Sequence, residues 1–271
     1  MMQNDKLFAG NIPETYERLL VPLLFEPYAN DMADRVARIR SRDILEIAAG
    51  TGALTRAMAD RLPADARIVA SDLNPPMLER AQASLANDPR MTWQQADALA
   101  LPFDAAAFDV VACQFGVMFY PDKVQGHREA RRVLRPDGRY VFSAWDSLRH
   151  NPIAEAIEDA LARMFPDNPT RFMSRTPHGY CEPDKLRADL REAGFQAIEI
   201  ESIRHNAEAP SVHVVAQAFC QGTPLRGEIE ARAPGAVERV TDEVAQALRP
   251  KFGDGPVQST ISAYLVTCGQ A

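Results

Sequence analysis

A chain of 271 residues, 46% of them hydrophobic, can bury a full core as one domain, which excludes disorder as the default state. Its 30 Lys and Arg against 37 Asp and Glu give a formal charge of -7, a balance that repels phosphate backbones and anionic lipid, so no nucleic-acid partner is expected. No apolar run approaches the ~18 residues of a membrane span, and Met1 to Lys6 lacks the apolar core of a signal peptide, so a cytoplasmic protein is expected. Its cysteines, Cys113, Cys181, Cys220 and Cys268, are scattered and form no Cys-x-x-Cys pair, which predicts reduced thiols with neither a zinc site nor a disulfide framework.

Along the chain, the first forty residues carry Tyr16, Leu19, Leu20, Phe25 and Tyr28, which suggest helices packed across the mouth of a sheet. Apolar runs of strand length then alternate with helical patterns, the signature of a parallel sheet covered by helices. The run Asp43 to Ile47 ends in Ala48-Ala49-Gly50-Thr51-Gly52, after which Leu54, Met58 and Leu62 recur on one helical face. A second strand, Arg67 to Ser71, stops at Asp72, and Pro75 and Pro76 open a helix presenting Leu78, Ala81 and Leu85. A short third strand lies near Met91 to Gln94. The fourth, Phe108 to Ala112, leads to Gln114, and Asp122 is placed to cap a helix that runs to Leu134. That helix carries the longest basic cluster, Arg128 to Arg135, as a solvated face. Pro136-Asp137-Gly138 reads as a turn launching a fifth strand, Tyr140 to Trp145.

From His150 to Tyr180 the alternation breaks in a stretch rich in Pro, Arg and aromatics, which reads as an insertion. Leu186, Leu190 and Ala193 then share a helix face closed by Gly194, and a strand follows around Phe195 to Ile203. Residues 206–255 look mostly helical, and Val257 to Thr267 alternates like a final edge strand. The whole is expected to be one domain, 1–271. It divides into an N-terminal helical cover (1–42), a cofactor-binding core (43–145) and two segments shaping a substrate lid (146–182 and 206–255).

In an open parallel sheet, ligands bind beyond the carboxyl ends of the strands where the strand order reverses. Gly50 and Gly52 fall there and let backbone approach a ligand. Asp72, twenty residues past Gly52, can accept hydrogen bonds from both ribose hydroxyls, and Asp97, after the third strand, can meet an adenine amino group. The pattern asks for a nucleoside. A dinucleotide needs the third glycine of G-x-G-x-x-G, yet Thr55 stands three residues after Gly52, and no tyrosine has lysine four residues on. A phosphate-free nucleoside fits better.

These residues resemble class I S-adenosylmethionine-dependent methyltransferases, and most of all the small-molecule branch related to ubiquinone and menaquinone biosynthesis. The resemblance rests on Ile44 to Gly52, Asp72, Gln95 to Phe103 and Arg128 to Gly138, and covers residues 43–145 specifically. It implies a doubly wound, Rossmann-like α/β fold with a seven-stranded sheet, the last strand antiparallel, and helical lid insertions. It implies S-adenosyl-L-methionine as cofactor, S-adenosyl-L-homocysteine as product and a small-molecule O-, N- or C-nucleophile as acceptor. By the same resemblance Gly50 and Gly52 flank the methionyl part, Asp72 holds the ribose, and Leu73 and Met77 cover the adenine. Asp97 and Ala98 bind the adenine edge, while Gln114 and Phe115 border the sulfonium. Tyr16, Glu46, Ala48 and Thr51 complete the expected set. Ala48 departs from the pattern, standing where many members have the first glycine.

Other readings run beside these. Asp72 alone could be a helix cap, and a cofactor-binding scaffold without transfer activity would keep the same motifs. Phe115, Phe119 and Tyr120 could be core or site. His127 shares a helix face with Ala130 and Leu134 and is expected to be packed; His178 and His150, in the inserted segment, are the candidates for a general base. The segment Cys113-Gln114-Phe115-Gly116 offers no carboxylate after the fourth strand, so no metal is expected. Removing Asp72 is expected to weaken cofactor binding strongly and to change stability little.

Overall fold

The alternation of apolar runs becomes, in a computed structural model describing residues 8, 10–39 and 41–270, one seven-stranded sheet with helices on both faces. The expectation about Met1 to Lys6 lies outside the described residues. The strands are β1 (Asp43–Ile47), β2 (Arg67–Asp72), β3 (Met91–Gln95), β4 (Phe108–Gln114), β5 (Leu134–Trp145), β6 (Ala197–Ala209) and β7 (Val257–Gly269). Their order is β3-β2-β1-β4-β5-β7-β6. The first five pair in parallel, and β7 runs antiparallel to both neighbours. The order reverses between β1 and β4, which is where a doubly wound sheet opens a crevice at its strand ends.

Period-two alternation decides which helices cover which face. Leu45, Val111, Tyr140 and Phe142 belong to one core, while Ile44, Val110, Ala112 and Val141 belong to the other. The second core is closed by α2 (Glu26–Arg38) and α3 (Ala53–Ala59) through Met32, Val36, Leu54 and Met58. The first takes α5 (Lys123–Val133), α6 (Pro152–Met164), α8 (Pro183–Glu192), α9 (Val212–Gly222), α10 (Leu225–Arg232) and α11 (Val237–Phe252). Ahead of α2 the chain is helical from Ile12, as α1 (Ile12–Thr15) and a π-helical stretch, Tyr16–Phe25, that contains Pro22. Proline cannot donate the usual backbone bond, so the chain is wound wider there. At the start of α5 the Asp122 carboxylate accepts from the Gln125 N–H, the expected cap. Among the described residues no helix is long and apolar enough to cross a membrane.

Three expectations are corrected. The final strand is not an edge strand: β7 lies between β5 and β6, and β6 is the edge. Alternation reports which face of a strand is buried and carries no information on whether both backbone edges are paired. Residues 206–209 are strand, because β6 continues to Ala209 against Val257. Pro136-Asp137-Gly138 does not precede the fifth strand but lies inside it. The register jumps from Phe108↔Leu134 to Val110↔Arg139, so the turn-forming residues are extruded as an irregularity. The inserted stretch is built from α6 and α7 (Phe172–Arg175).

Candidate active site

The loop after β1 is tied to the end of β2. Backbone φ is positive at Ala48 (55°), Gly50 (57°) and Gly52 (87°), which folds the turn tightly enough for the Gly50 N–H to donate to Asp72 Oδ2 at 2.9 Å. The other carboxylate oxygen accepts from the Asn74 N–H at 2.8 Å. Asn74 Nδ2 also donates to that oxygen, at 3.3 Å, so Oδ1 has two donors and Oδ2 takes the Gly50 N–H. Burial pushes the Asp72 carboxyl up, and the bonds from Asn74 and Gly50 oppose it. Gly52 is needed for another reason: a Cβ there would stand 3.0 Å from the Ala81 Cβ of α4 (Pro75–Ser84), so its role is close packing of two helices.

One cavity, about 1360 Å³ with the open space at its mouth, lies over these strand ends. Tyr16, Ala48, Gly50, Asp72, Leu73, Met77, Asp97, Ala98, Gln114 and Phe115 line it; Glu46, Thr51 and Gly52 do not. Glu46 is 1% exposed behind the turn. Its carboxyl accepts from Thr55 Oγ1 at 2.6 Å, and burial pushes its pKa up to about 8, so it is a neutral acid at pH 7. Thr51 is equally buried, and its Oγ1 has no partner among the described residues. Asp97 Oδ1 accepts the Leu99 N–H at 2.9 Å, and the residue itself is exposed.

An aromatic wall follows β4. Phe115 adopts φ 51°, its N–H donates to Ser143 Oγ at 3.0 Å, and its ring stacks on Trp145 at 3.9 Å and 9°. Tyr16 stacks on Phe25 at 5.0 Å, and burial beside Asp72 holds its phenol far above the usual range. Gln114 Nε2 donates to the Phe25 carbonyl at 2.8 Å, which pins the N-terminal helical cover to the sheet. Tyr28 stands edge-on to Phe115 from behind and does not line the cavity.

Beyond this wall the cavity continues into an apolar chamber whose lining includes Trp145, Phe172, Met173, Phe219, Pro224 and Ile261. No sequence argument singled these out, because an apolar side chain on a helix facing a cavity has the same periodicity as one facing the core. The two histidine candidates separate here. His178 lines the chamber and is 8% exposed; His150 does not line it and instead faces Asp146 Oδ2 at 2.8 Å from a half-exposed position. His127 is packed as expected, 0% exposed, with Nε2 3.3 Å from the Tyr180 hydroxyl. Among the described residues no lysine or arginine lines the cavity, whose charged groups are Asp72 and Asp97 at one end.

Comparison with known proteins agrees with this geometry. Residues 44–138 match a family profile described as a methyltransferase domain. A demethylmenaquinone methyltransferase from Clavibacter sepedonicus is 31% identical over 173 residues, covering 60% of this chain and 69% of the relative. A protein with the same description from Deinococcus radiodurans is 31% identical over 170 residues, 57% of this chain and 68% of its own. Among solved structures, the YcgJ protein of Bacillus subtilis superposes with a TM-score of 0.59 at 17% identity, over 90% of this chain and 98% of its own. Phosphoethanolamine N-methyltransferase 2 of Haemonchus contortus, solved with S-adenosylhomocysteine, gives 0.61 at 15% identity, over 96% of this chain and 57% of its own. At such identities the structural likeness speaks for the fold.

Proposed function

The chain belongs to the class I S-adenosylmethionine-dependent methyltransferases, in their ubiquinone/menaquinone-like small-molecule branch, and from that premise we propose how its cavity divides the work. The enzyme transfers the methyl group of S-adenosyl-L-methionine to a small-molecule acceptor, leaving S-adenosyl-L-homocysteine. When bound, the cofactor supplies an electrophilic methyl carbon on a sulfonium.

The observation that carries the proposal is the continuity of one cavity. Its Asp72–Asp97 end is polar, its other end is apolar, and the stacked pair Phe115 and Trp145 stands between. Its lining runs without a break from Asp72 and Asp97 to Phe172, His178 and Ile261, as a site for cofactor and acceptor side by side requires. Asp72 offers its carboxylate to the two ribose hydroxyls, one of which takes the place of the long 3.3 Å bond from Asn74 Nδ2 to Oδ1. Leu73 and Met77 cover the adenine, Asp97 and Ala98 meet its edge, and Ala48 and Gly50 flank the methionyl part. Tyr16, Gln114 and Phe115 border the sulfonium, where aromatic faces attract a cation. Glu46, Thr51 and Gly52 act from behind, shaping the turn. Holding acceptor and methyl carbon in line, with water excluded, supplies the rate enhancement. On this reading residues 1–42 cover the mouth, 43–145 hold the cofactor, and 146–182 with 206–255 shape the acceptor chamber, all within one domain.

The reading extends to partners. With no lysine or arginine among the described residues of the cavity wall and a charge of -7, the site is built for a small molecule and against a phosphate backbone. The enzyme works in the cytoplasm and needs no metal, since the segment after β4 carries no carboxylate. Calorimetry checks the division directly: S-adenosylmethionine and S-adenosylhomocysteine are expected to bind with similar strength and NAD much more weakly, with binding unchanged by chelator. Tighter NAD binding, or cofactor affinity that disappears with chelator and returns with magnesium, would refute it.

A further inference from the structure

Among the described polar side chains of the acceptor chamber, His178 is the one whose bonding the protein leaves incomplete. Asn151 touches the chamber, but its Nδ2 donates to the carbonyls of Asp146, Ser147 and Ser262, and its Oδ1 accepts the Ser262 N–H. Thr223 donates to the Phe219 carbonyl and accepts the Leu225 N–H. The Tyr120 hydroxyl pairs with Cys113 Sγ at 3.3 Å. His178 differs. Its Nδ1 lies 2.7 Å from the Asp146 carbonyl oxygen, and since a carbonyl only accepts, Nδ1 carries the hydrogen. Nε2 is then a lone pair. It has no partner among the described residues, and it is not among the polar atoms sealed in the interior.

Resting on the division of the cavity proposed above, we infer that His178 Nε2 is the general base for an uncharged, largely apolar acceptor that presents a hydroxyl, a phenol in type, and that this oxygen is methylated. The acceptor oxygen forms the new bond to the methyl carbon as the carbon–sulfur bond breaks with its electron pair on sulfur, and the hydroxyl proton passes to Nε2. One positive charge is present before the step, on sulfur, and one after it, on the imidazole, so the apolar chamber never has to accommodate a newly created charge. The Trp145 ring, centred 5.9 Å from that of His178 and tilted 38° to it, is within the range at which an aromatic ring attracts the imidazolium. An anionic acceptor would find no lysine or arginine among the described lining residues.

The surroundings keep the base ready. Burial lowers the His178 pKa to about 4, against the upward pull of the Asp146 carbonyl, so the ring is neutral at pH 7. Asp146 is the nearest anion, and its carboxylate is shared among the Ser147 N–H, Ser262, Tyr264 and His150. Arg175, on the helix before His178, pairs with Glu228 at 2.5 Å.

Two variants and two acceptors test this. His178→Asn keeps a donor for the Asp146 carbonyl but has no basic nitrogen; His178→Gln guards against misfolding of the first. Both are expected to bind S-adenosylhomocysteine within threefold of wild type. Both should lose on the order of a hundredfold or more in kcat/KM with 1-naphthol, and much less with 4-nitrophenol, which ionises without help. Wild-type kcat/KM should fall only below about pH 5, whereas the variants' rate should climb with the naphtholate fraction. Independently of turnover, nitrogen NMR of His178 in the empty protein should show hydrogen on Nδ1 and titration near pH 4. Its Nε2 signal should move when 1-naphthol is added with S-adenosylhomocysteine. Equal losses with both phenols overturn the base. No turnover of any phenol by protein that binds cofactor overturns the hydroxyl acceptor and leaves the methyltransferase standing. Failure to bind cofactor takes down the division of the cavity and this inference together.

Discussion

Asp72, proposed above as the ribose ligand, also serves the fold. The N-cap of α4 is Asn74, whose side chain makes no capping bond, so the simple helix-cap alternative for Asp72 does not describe it. Instead its two oxygens join the Gly50 and Asn74 N–H groups, locking the glycine turn to the start of α4. The expectation that removing it leaves stability unchanged is therefore replaced. Asp72→Ala strands two partly buried donors, and an unsatisfied buried group costs about 1–3 kcal/mol, so the empty protein should lose roughly 2–4 kcal/mol in denaturant melts. Cofactor affinity should fall on the order of a hundredfold, from two lost bonds to a charged acceptor. Asp72→Asn retains one acceptor oxygen and should fall between. An alanine variant that binds cofactor within threefold of wild type would remove Asp72 from the ribose site. Its place at the end of the second strand was legible in the sequence; its backbone partners were not, because they depend on how two loops meet.

At the scale of elements, the turn between β1 and α3 carries an avoidable strain. Ala48 sits at φ 55°, where a side chain's Cβ crowds the following carbonyl at a cost of roughly 1–2 kcal/mol, and glycine would relieve it. Ala48→Gly should raise stability by about 1 kcal/mol, read as a higher denaturant midpoint with unchanged slope, and leave cofactor affinity nearly constant. A lower midpoint would mean that the Ala48 methyl contributes packing worth more than the strain. Elements with a local physical signal were readable: the Asp122 cap, the proline-opened α4, and Gly194, which takes φ 98° just past α8. Elements defined by a partner were not. The extrusion of Pro136 to Gly138 from β5 and the extension of β6 to Ala209 are decided by pairing with distant strands.

For the whole molecule, three buried titratable groups set opposing slopes of stability with pH. His127 and His178 are both lowered by burial to about 4, below the unfolded value near 6.5. The unfolded chain therefore takes up two protons that the folded chain refuses, and stability is lost as pH falls from about 6.5 toward 4. Glu46 is raised by burial from 4.5 to about 8. Its folded form stays protonated while the unfolded form ionises, so stability is lost as pH rises from about 4.5 to 8. Two histidines outweigh one carboxyl on the acid side, and of these three groups only Glu46 still acts above pH 6.5, at roughly 1.4 kcal/mol per pH unit. The empty protein should be most stable near pH 6.5. Glu46→Gln, which keeps an acceptor for Thr55, should flatten the alkaline limb in urea melts from pH 5 to 8.5. An unchanged limb would show that Glu46 ionises normally.

By itself the sequence determined the order of strands and helices in the core, the crevice at the strand ends and the nucleoside-binding character of that crevice. Each of these rests on a local signal: a period of two or 3.6, a glycine where φ must be positive, a carboxylate at a strand end. Only the tertiary structure decided that β7 lies inside β6, that Glu46 and Thr51 stand behind the cavity wall, and that His178 faces the acceptor chamber while His150 turns outward. Whether an apolar or titratable side chain meets core, cavity or solvent depends on residues far away in the chain, and the chamber is assembled from segments spread between Leu20 and Ile261. No local pattern records that meeting, because a cavity is the space its walls leave between them.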